Sequence, residues 1–256
     1  MKVVILAGGY GTRISEESTL RPKPMVEIGG MPILWHIMKY YSSYGYNDFV
    51  ICLGYKGYMI KEFFANYCLH VSDVTFDLAH NSMELHNNQS ESWKVTLANT
   101  GQDTLTGGRI KRIAPYIGNE PFMMTYGDGL CNVDLPALLS HHRSNHHIVT
   151  LTAIQPEGRF GTLDIGQNDR VESFQEKQRM QSGWINGGFM VMQPEIFGYI
   201  AGDHISLEQE PLEQIAAEGK LGAYRHAGFW QCMDTMREKI LLEELWEKTD
   251  TPWQRW

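Results

Sequence analysis

No apolar run in the sequence approaches the length of a membrane span, and the N-terminus offers one lysine and a five-residue apolar run, too short for the core of a signal peptide. Cysteine is scarce. Cys52, Cys68, Cys131 and Cys232 are widely spaced and form no CxxC pair, and three of them sit in apolar or near-apolar runs where free cysteine packs as a small hydrophobe, which fits a reduced cytoplasm. Positive charge is also short: the net charge of -8 lacks the basic footprint that a nucleic-acid binder needs. An anionic substrate would have to be met by local cations and a metal. Internal repeats, long linkers and low-complexity tracts are absent. Two familiar glycine loops are missing as well. No Lys-Ser or Lys-Thr follows the N-terminal glycines, which excludes the P-loop, and position 14 is Ile rather than the third glycine of the dinucleotide fingerprint.

What is present begins at the N-terminus. With 256 residues and 43% hydrophobic content the chain can bury a sizeable core and reads as one domain. Val3-Val4-Ile5-Leu6-Ala7 is short, rich in β-branched residues and stopped by Gly8-Gly9, which reads as a buried parallel strand ending in a tight loop. Ligands of open α/β sheets bind at such carboxyl ends. Gly8, Gly9 and Gly11 let a backbone come close to a ligand and leave amide N–H groups free to face an anion. Arg13 adds a planar cationic fork, and Lys23, stiffened by Pro22 and Pro24, adds a second cation. The set suits phosphoryl or nucleotidyl transfer.

Further along, residues 32–41 read as an amphipathic helix, 49–53 as a buried strand and 61–67 as a second helix. That order predicts a parallel sheet with right-handed crossovers. From Ser72 to Asn99 the pattern alternates, as in 74–78 and 93–97, around a polar stretch at 87–92. This predicts half-exposed strands forming an arm that covers a ligand or meets a neighbouring subunit. Thr106 reads as a helix N-cap. Asp128, between glycines past the strand 121–126, is a turn former or a metal ligand, and Asp234 reads locally as a helix cap. His141, His142, His146 and His147 lack a nearby carboxylate or cysteine to complete a zinc set and read as a solvated helix end. Residues 148–154 read as a strand, 159–165 and 170–174 as paired strands, and 184–192 as a strand interrupted by glycines. Glu176 and Lys177 read as a solvated turn and Asn186-Gly187 as a bulge, although the same groups can bind sugar hydroxyls and a sugar phosphate. Helices are expected at 195–200 and 207–217 and after Asp234, and the aromatic tail 253–256 is expected to lie exposed against a partner subunit.

The loop Gly8-Gly9-x-Gly11-Thr12-Arg13 with Pro22-Lys23-Pro24 resembles the signature of sugar-1-phosphate nucleotidylyltransferases. LAGGYGTRISEE and KPMVEIGGMPILWHIMKYYS, with TGGRIKR, TYGDG, GRFGTLDI, SFQEK, INGGF, EQEPL and GFWQCMDTMREK, resemble the glucose-1-phosphate cytidylyltransferase family across essentially the whole chain. The resemblance implies an α/β, Rossmann-like, mixed and mainly parallel sheet flanked by helices, the nucleotide-diphospho-sugar transferase fold, with a small β arm. It implies a nucleotide-binding part over about 1–130 and a sugar-binding part over about 131–256. CTP and glucose 1-phosphate would react to CDP-glucose and pyrophosphate. It places the nucleotide on Leu6, Ala7, Gly8, Gly9, Tyr10, Gly11, Thr12 and Arg13, with Lys23, Thr104, Gly107, Gly108, Arg109 and Asp128. The two glycines would approach the base and Arg109 the phosphates. Glu176, Lys177, Asn186 and Gly187 would take the sugar phosphate, and Asp128 and Asp234 would hold Mg²⁺. Arg13, Lys23 and Asp128 would carry catalysis. Relatives imply a homo-oligomer, trimer or hexamer, and a product that feeds bacterial surface polysaccharide. Tyr10 and Leu20-Arg21 depart from the commoner pattern and leave room for UTP, dTTP or another hexose phosphate. A non-catalytic sensor would have lost a cation or an acid.

Overall fold

The structure is a computed structural model that describes residues 1–11, 14–156, 162–165, 171–175, 183–248 and 251–256. At its centre is an eight-stranded sheet. Its strands are β1 (Val3–Ala7), β2 (Asp48–Leu53), β3 (Lys94–Asn99), β4 (Phe122–Tyr126), β5 (Val149–Ile154), β6 (Ile185–Asn186), β7 (Met190–Met192) and β8 (Leu221–His226). Across the sheet β8 lies on one side of β5 and the broken strand β6/β7 on the other, followed by β4, β1, β2 and β3. The pairs β1–β2, β1–β4, β2–β3 and β5–β8 are parallel, whereas β6 and β7 run antiparallel to β5, and β7 to β4. The mixed, mainly parallel sheet expected from the sequence is the one observed.

Successive side chains of a strand point to opposite faces, and a sheet covered on both must be apolar at every position. Val3, Ile5 and Ala7 enter one core while Val4 and Leu6 enter the other, and Phe49, Ile51 and Leu53 alternate with Val50 and Cys52 in the same way. The first core is covered by α1 (Ile33–Ser42) and the second by helices that follow. Ile33, Leu34, Ile37, Met38 and Tyr41 recur at helical spacing on the buried face of α1. Next come α2 (Gly57–Ala65), α3 (Thr106–Arg112), α4 (Leu135–Asn145), α5 (Glu210–Ala217) and α6 (Met236–Trp246). Ile110, Leu212 and Ile215 close the second core, and Leu242 joins the first.

Three expectations need correction. The alternating segment at 93–97 belongs to β3, the edge strand paired with β2, so it is part of the central sheet; the arm is only the hairpin Asp73–Asp77 and Ser82–His86. An edge strand is half-covered and carries the same alternation as a free ribbon. The tail is not exposed: Trp253 is fully buried, stacks on Phe229 and Trp246 and donates Nε1–H to His36 Nδ1 at 3.4 Å. Helix α6 returns the chain end over α1, so Trp253 is core and Trp256 packs half-buried against it. His142 is not solvated either. It is 1% exposed, with Nδ1 2.9 Å from Thr150 Oγ1 and Nε2 2.9 Å from the Gln193 amide.

Candidate active site

The loop after β1 rims a cleft of about 460 Å³, lined by Leu6 to Gly11, Lys23, Pro24, Gln102 to Thr106, Arg109, Tyr126, Gly127, Asp128 and Asp234. The amides of Gly9, Tyr10 and Gly11 make no hydrogen bond to another described residue, and Gly11 turns with φ 65°. Beneath the loop lies Arg109, 4% exposed. Its Nη1 donates to Leu53 O (3.1 Å), Thr100 Oγ1 (2.8 Å) and Gly101 O (2.7 Å), and its Nη2 to Gly8 O (3.0 Å) and Gln102 O (3.1 Å). Burial pulls the guanidinium below its ordinary range, yet an arginine stays charged. Its donors are spent on the carbonyls of the glycine loop and of the segment after β3. A Cβ on Gly8 would lie 2.3 Å from Nη1, so Gly8 is required by this close approach. Tyr10 ties the loop to the facing segment through its hydroxyl, which donates to Asp103 Oδ1 at 2.6 Å.

Lys23 and two acids converge on the cleft floor. Strands Gly129–Cys131 and Trp230–Cys232 pair antiparallel, and Met233 N donates to Asp128 O at 2.8 Å, which sets Asp234 beside Asp128. Asp234 does not cap α6; Thr235 does, in a capping box with Glu238. Lys23 Nζ donates to Asp128 Oδ2 (2.6 Å) and to Asp234 Oδ1 (2.5 Å). Burial lowers the ammonium's pKa, but the charges and hydrogen bonds of Asp128 and Asp234 outweigh it and the group titrates above its ordinary value. Among the described residues no three His, Cys, Asp or Glu side chains gather. Two carboxylates on an open cleft suit Mg²⁺, which keeps several waters and completes its shell from phosphates.

Thr104 lines the cleft, whereas Gly107 and Gly108 face away from it: a Cβ on either would strike the backbone of Asp203 to Leu207 within 2.7 Å. The close approach they permit is to that segment rather than to a nucleobase. Thr106 is not the cap of α3, which starts after Leu105; its hydroxyl accepts from Leu207 N (2.9 Å) and donates to Glu208 (2.5 Å). Glu208 also accepts from Tyr126 Oη at 2.6 Å, and Asn186 Nδ2 donates to the same Tyr126 oxygen at 3.3 Å. Asn186 thus stands one hydrogen bond behind the cleft. Gly187 lies in the break between β6 and β7, its amide on Thr152 O at 2.8 Å and its carbonyl accepting from Trp230. Thr12, Arg13, Glu176 and Lys177 lie outside the described residues. Sequence reasoning missed Tyr126, Glu208 and the Tyr10–Asp103 pair; the only signal was that TYGDG and EQEPL stood out as segments.

A glycine loop at the carboxyl end of a buried strand, two acids and a lysine define a nucleotidyl-transfer site, and the comparisons agree. The nucleotidyl transferase family model matches residues 2–221, and the chain belongs to that family. Within it the chain is a sugar-1-phosphate nucleotidyltransferase of the glucose-1-phosphate cytidylyltransferase group. It is 56% identical over 257 aligned positions to glucose-1-phosphate cytidylyltransferase of Salmonella typhi and 44% identical over 257 to a probable glucose-1-phosphate cytidylyltransferase of Bacillus subtilis, each alignment covering both chains completely. The crystal structure of HddC from Yersinia pseudotuberculosis complexed with GMP-PN superposes with a TM-score of 0.68 at 26% identity, over 96% of this chain and 99% of that one.

Proposed function

We propose that the chain transfers a cytidylyl group from CTP to alpha-D-glucose 1-phosphate, giving CDP-glucose and pyrophosphate. The observation that carries this reading is the convergence of Lys23, Asp128 and Asp234 beside the glycine loop, in a chain similar from end to end to enzymes of that name. An oxygen of the sugar phosphate attacks the α-phosphorus in line, and pyrophosphate leaves on the opposite side. The attacking oxygen is already ionised, so the chain's work is alignment and charge neutralisation. The amides of Gly9 to Gly11 receive triphosphate oxygens, with Arg109 holding the loop from below. Lys23 neutralises the attacking phosphate and the α-phosphate, and Arg13 the departing pyrophosphate. Asp128 and Asp234 hold Mg²⁺, which when bound neutralises phosphate charge as a Lewis acid. Glu176, Lys177 and Asn186 take the sugar side, with Tyr126 and Glu208 linking it to the nucleotide side.

The reaction takes place in the cytoplasm, where CTP is made; four free thiols suit that compartment. The active form is a homo-oligomer joined through the hairpin arm. Val74 pairs with Leu85 and Phe76 with Met83, so four apolar side chains share one face of a two-stranded ribbon, and Phe76 is 58% exposed. An isolated ribbon is marginal in water without a surface to cover.

Pyrophosphate release with glucose 1-phosphate and Mg²⁺, compared across CTP, UTP, dTTP, ATP and GTP, tests the reading. A strong preference for CTP supports it. Activity with another nucleotide keeps the chemistry and discards the CDP-glucose assignment. Silence with all five discards glucose 1-phosphate as the acceptor and moves the assay to other sugar phosphates, failure with which leaves the non-catalytic sensor.

A further inference from the structure

Lys23 stands between the two acids that would hold a metal. Its ammonium bridges Asp128 Oδ2 and Asp234 Oδ1, so a divalent cation drawn to the same two oxygens would meet a like charge at close range. The backbone offers no retreat. Lys23 opens a one-turn helix, Lys23–Met25, between two prolines, with Met25 N bonded to Pro22 O (2.8 Å) and Val26 N to Lys23 O (3.1 Å). On one side Pro24 packs at Gly127, where an added Cβ would lie 3.1 Å from its ring. On the other, the first carbon of the Lys23 side chain would lie 3.3 Å from a Cβ built on Gly11, so the stem starts under the glycine loop. The ammonium can leave only by rotation of its four-carbon stem, and an anion on the loop amides of Gly9 to Gly11 gives it a counter-charge to turn to.

We propose that Lys23 is a built-in counter-ion that keeps the acidic pair closed in the nucleotide-free chain, so that a divalent cation enters only together with phosphates that draw the ammonium away. This rests on Asp128 and Asp234 being the metal's ligands. The closed arrangement lowers apparent metal affinity by the fraction of time the acids are uncovered, and nucleotide removes that penalty. Coupling between two ligands is reciprocal, so metal and nucleotide tighten each other by one common factor. Lys23 then acts twice: it screens two adjacent carboxylates from each other in the free chain and serves phosphate in the loaded one.

The test is Mn²⁺ uptake by the full chain, read from the electron paramagnetic resonance signal of the free ion. Without nucleotide, the wild type takes up Mn²⁺ weakly, Lys23→Met at least about tenfold more tightly, and Lys23→Arg like the wild type, because its guanidinium still bridges the acids. Mn²⁺ also raises the melting temperature of Lys23→Met and leaves that of the nucleotide-free wild type unchanged. Equal Mn²⁺ affinities of wild type and Lys23→Met overturn the proposal and leave the metal assignment intact. If no variant binds Mn²⁺ alone, and Asp128→Asn and Asp234→Asn leave CTP-dependent uptake unchanged, the metal assignment falls and the proposal with it. Should Lys23→Met fail to fold, the wild type decides: CTP must raise Mn²⁺ uptake beyond what CTP binds by itself, and additive uptake refutes the coupling.

Discussion

Met233 donates its amide hydrogen to the carbonyl of Asp128 at 2.8 Å, and this backbone contact places Asp234 and Asp128 on either side of the Lys23 ammonium. The two acids come from distant parts of the chain, and the register of the Gly129–Cys131 and Trp230–Cys232 pair brings them together. The chemistry of the site therefore depends on a short pair of strands outside the main sheet.

Lys23→Ala and Asp128→Asn are each expected to lower turnover by about 100- to 1000-fold, as loss of one preorganised charge does, while the chain keeps its far-UV circular dichroism. Steady-state pyrophosphate release measures the effect. Turnover within a few-fold of the wild type in either variant contradicts the roles given to these residues.

Gly8 and Gly9 should respond differently to the same added methyl. At Gly8 the Cβ meets a guanidinium pinned by five acceptors, while at Gly9 nothing lies within 4 Å. Gly8→Ala is expected to cost about 1–3 kcal/mol by overpacking, and Gly9→Ala less than about 0.5 kcal/mol. Urea unfolding of the two variants separates them; equal midpoints would mean that Arg109 yields.

Stability should fall in mild acid because of two buried histidines. His36 Nε2 donates to Ile28 O at 2.8 Å while Nδ1 accepts from Trp253, and burial, only partly offset by backbone acceptors, pushes its pKa down to about 4. His142 is likewise pushed down to about 4, by burial first and then by neighbouring cationic groups. Between about pH 6.5 and pH 4 the unfolded chain carries protons that the folded chain refuses, so stability rises with pH across that window and is complete above it. From pH 7.5 to pH 5 each histidine accounts for about 2 kcal/mol of loss. His36→Gln should flatten the dependence of the urea midpoint on pH, and an unchanged slope would remove His36 from the explanation.

The hairpin arm offers a test of assembly. Phe76→Asp combined with Leu85→Asp places two charges on the apolar face of the ribbon. Light scattering should show the particle mass falling toward that of a single chain, with unchanged circular dichroism. An oligomer of unaltered size shows that the subunits join elsewhere.

Much of the fold could be read from local pattern. Five apolar residues stopped by two glycines locate β1 and its loop because a strand buried on both faces has no polar position, and a sharp turn against another backbone has no room for a Cβ. The cations and acids of the cleft were legible as residue types for the same local reason. Their partners were not. The family resemblance assigns Arg109 to phosphates, yet its side chain is held by carbonyls of β2 and the glycine loop, both remote in sequence, together with those of Gly101 and Gln102 just upstream. Trp253 looks exposed beside the chain terminus until α6 carries it onto His36. The same holds for Gly107 and Gly108, whose neighbour is a segment some hundred residues on. Local pattern specifies which face of an element is apolar and where a turn must fall, since those preferences act within a few residues. Which donor meets which acceptor across the cleft follows from sheet order and strand register, which arise only when the whole core closes.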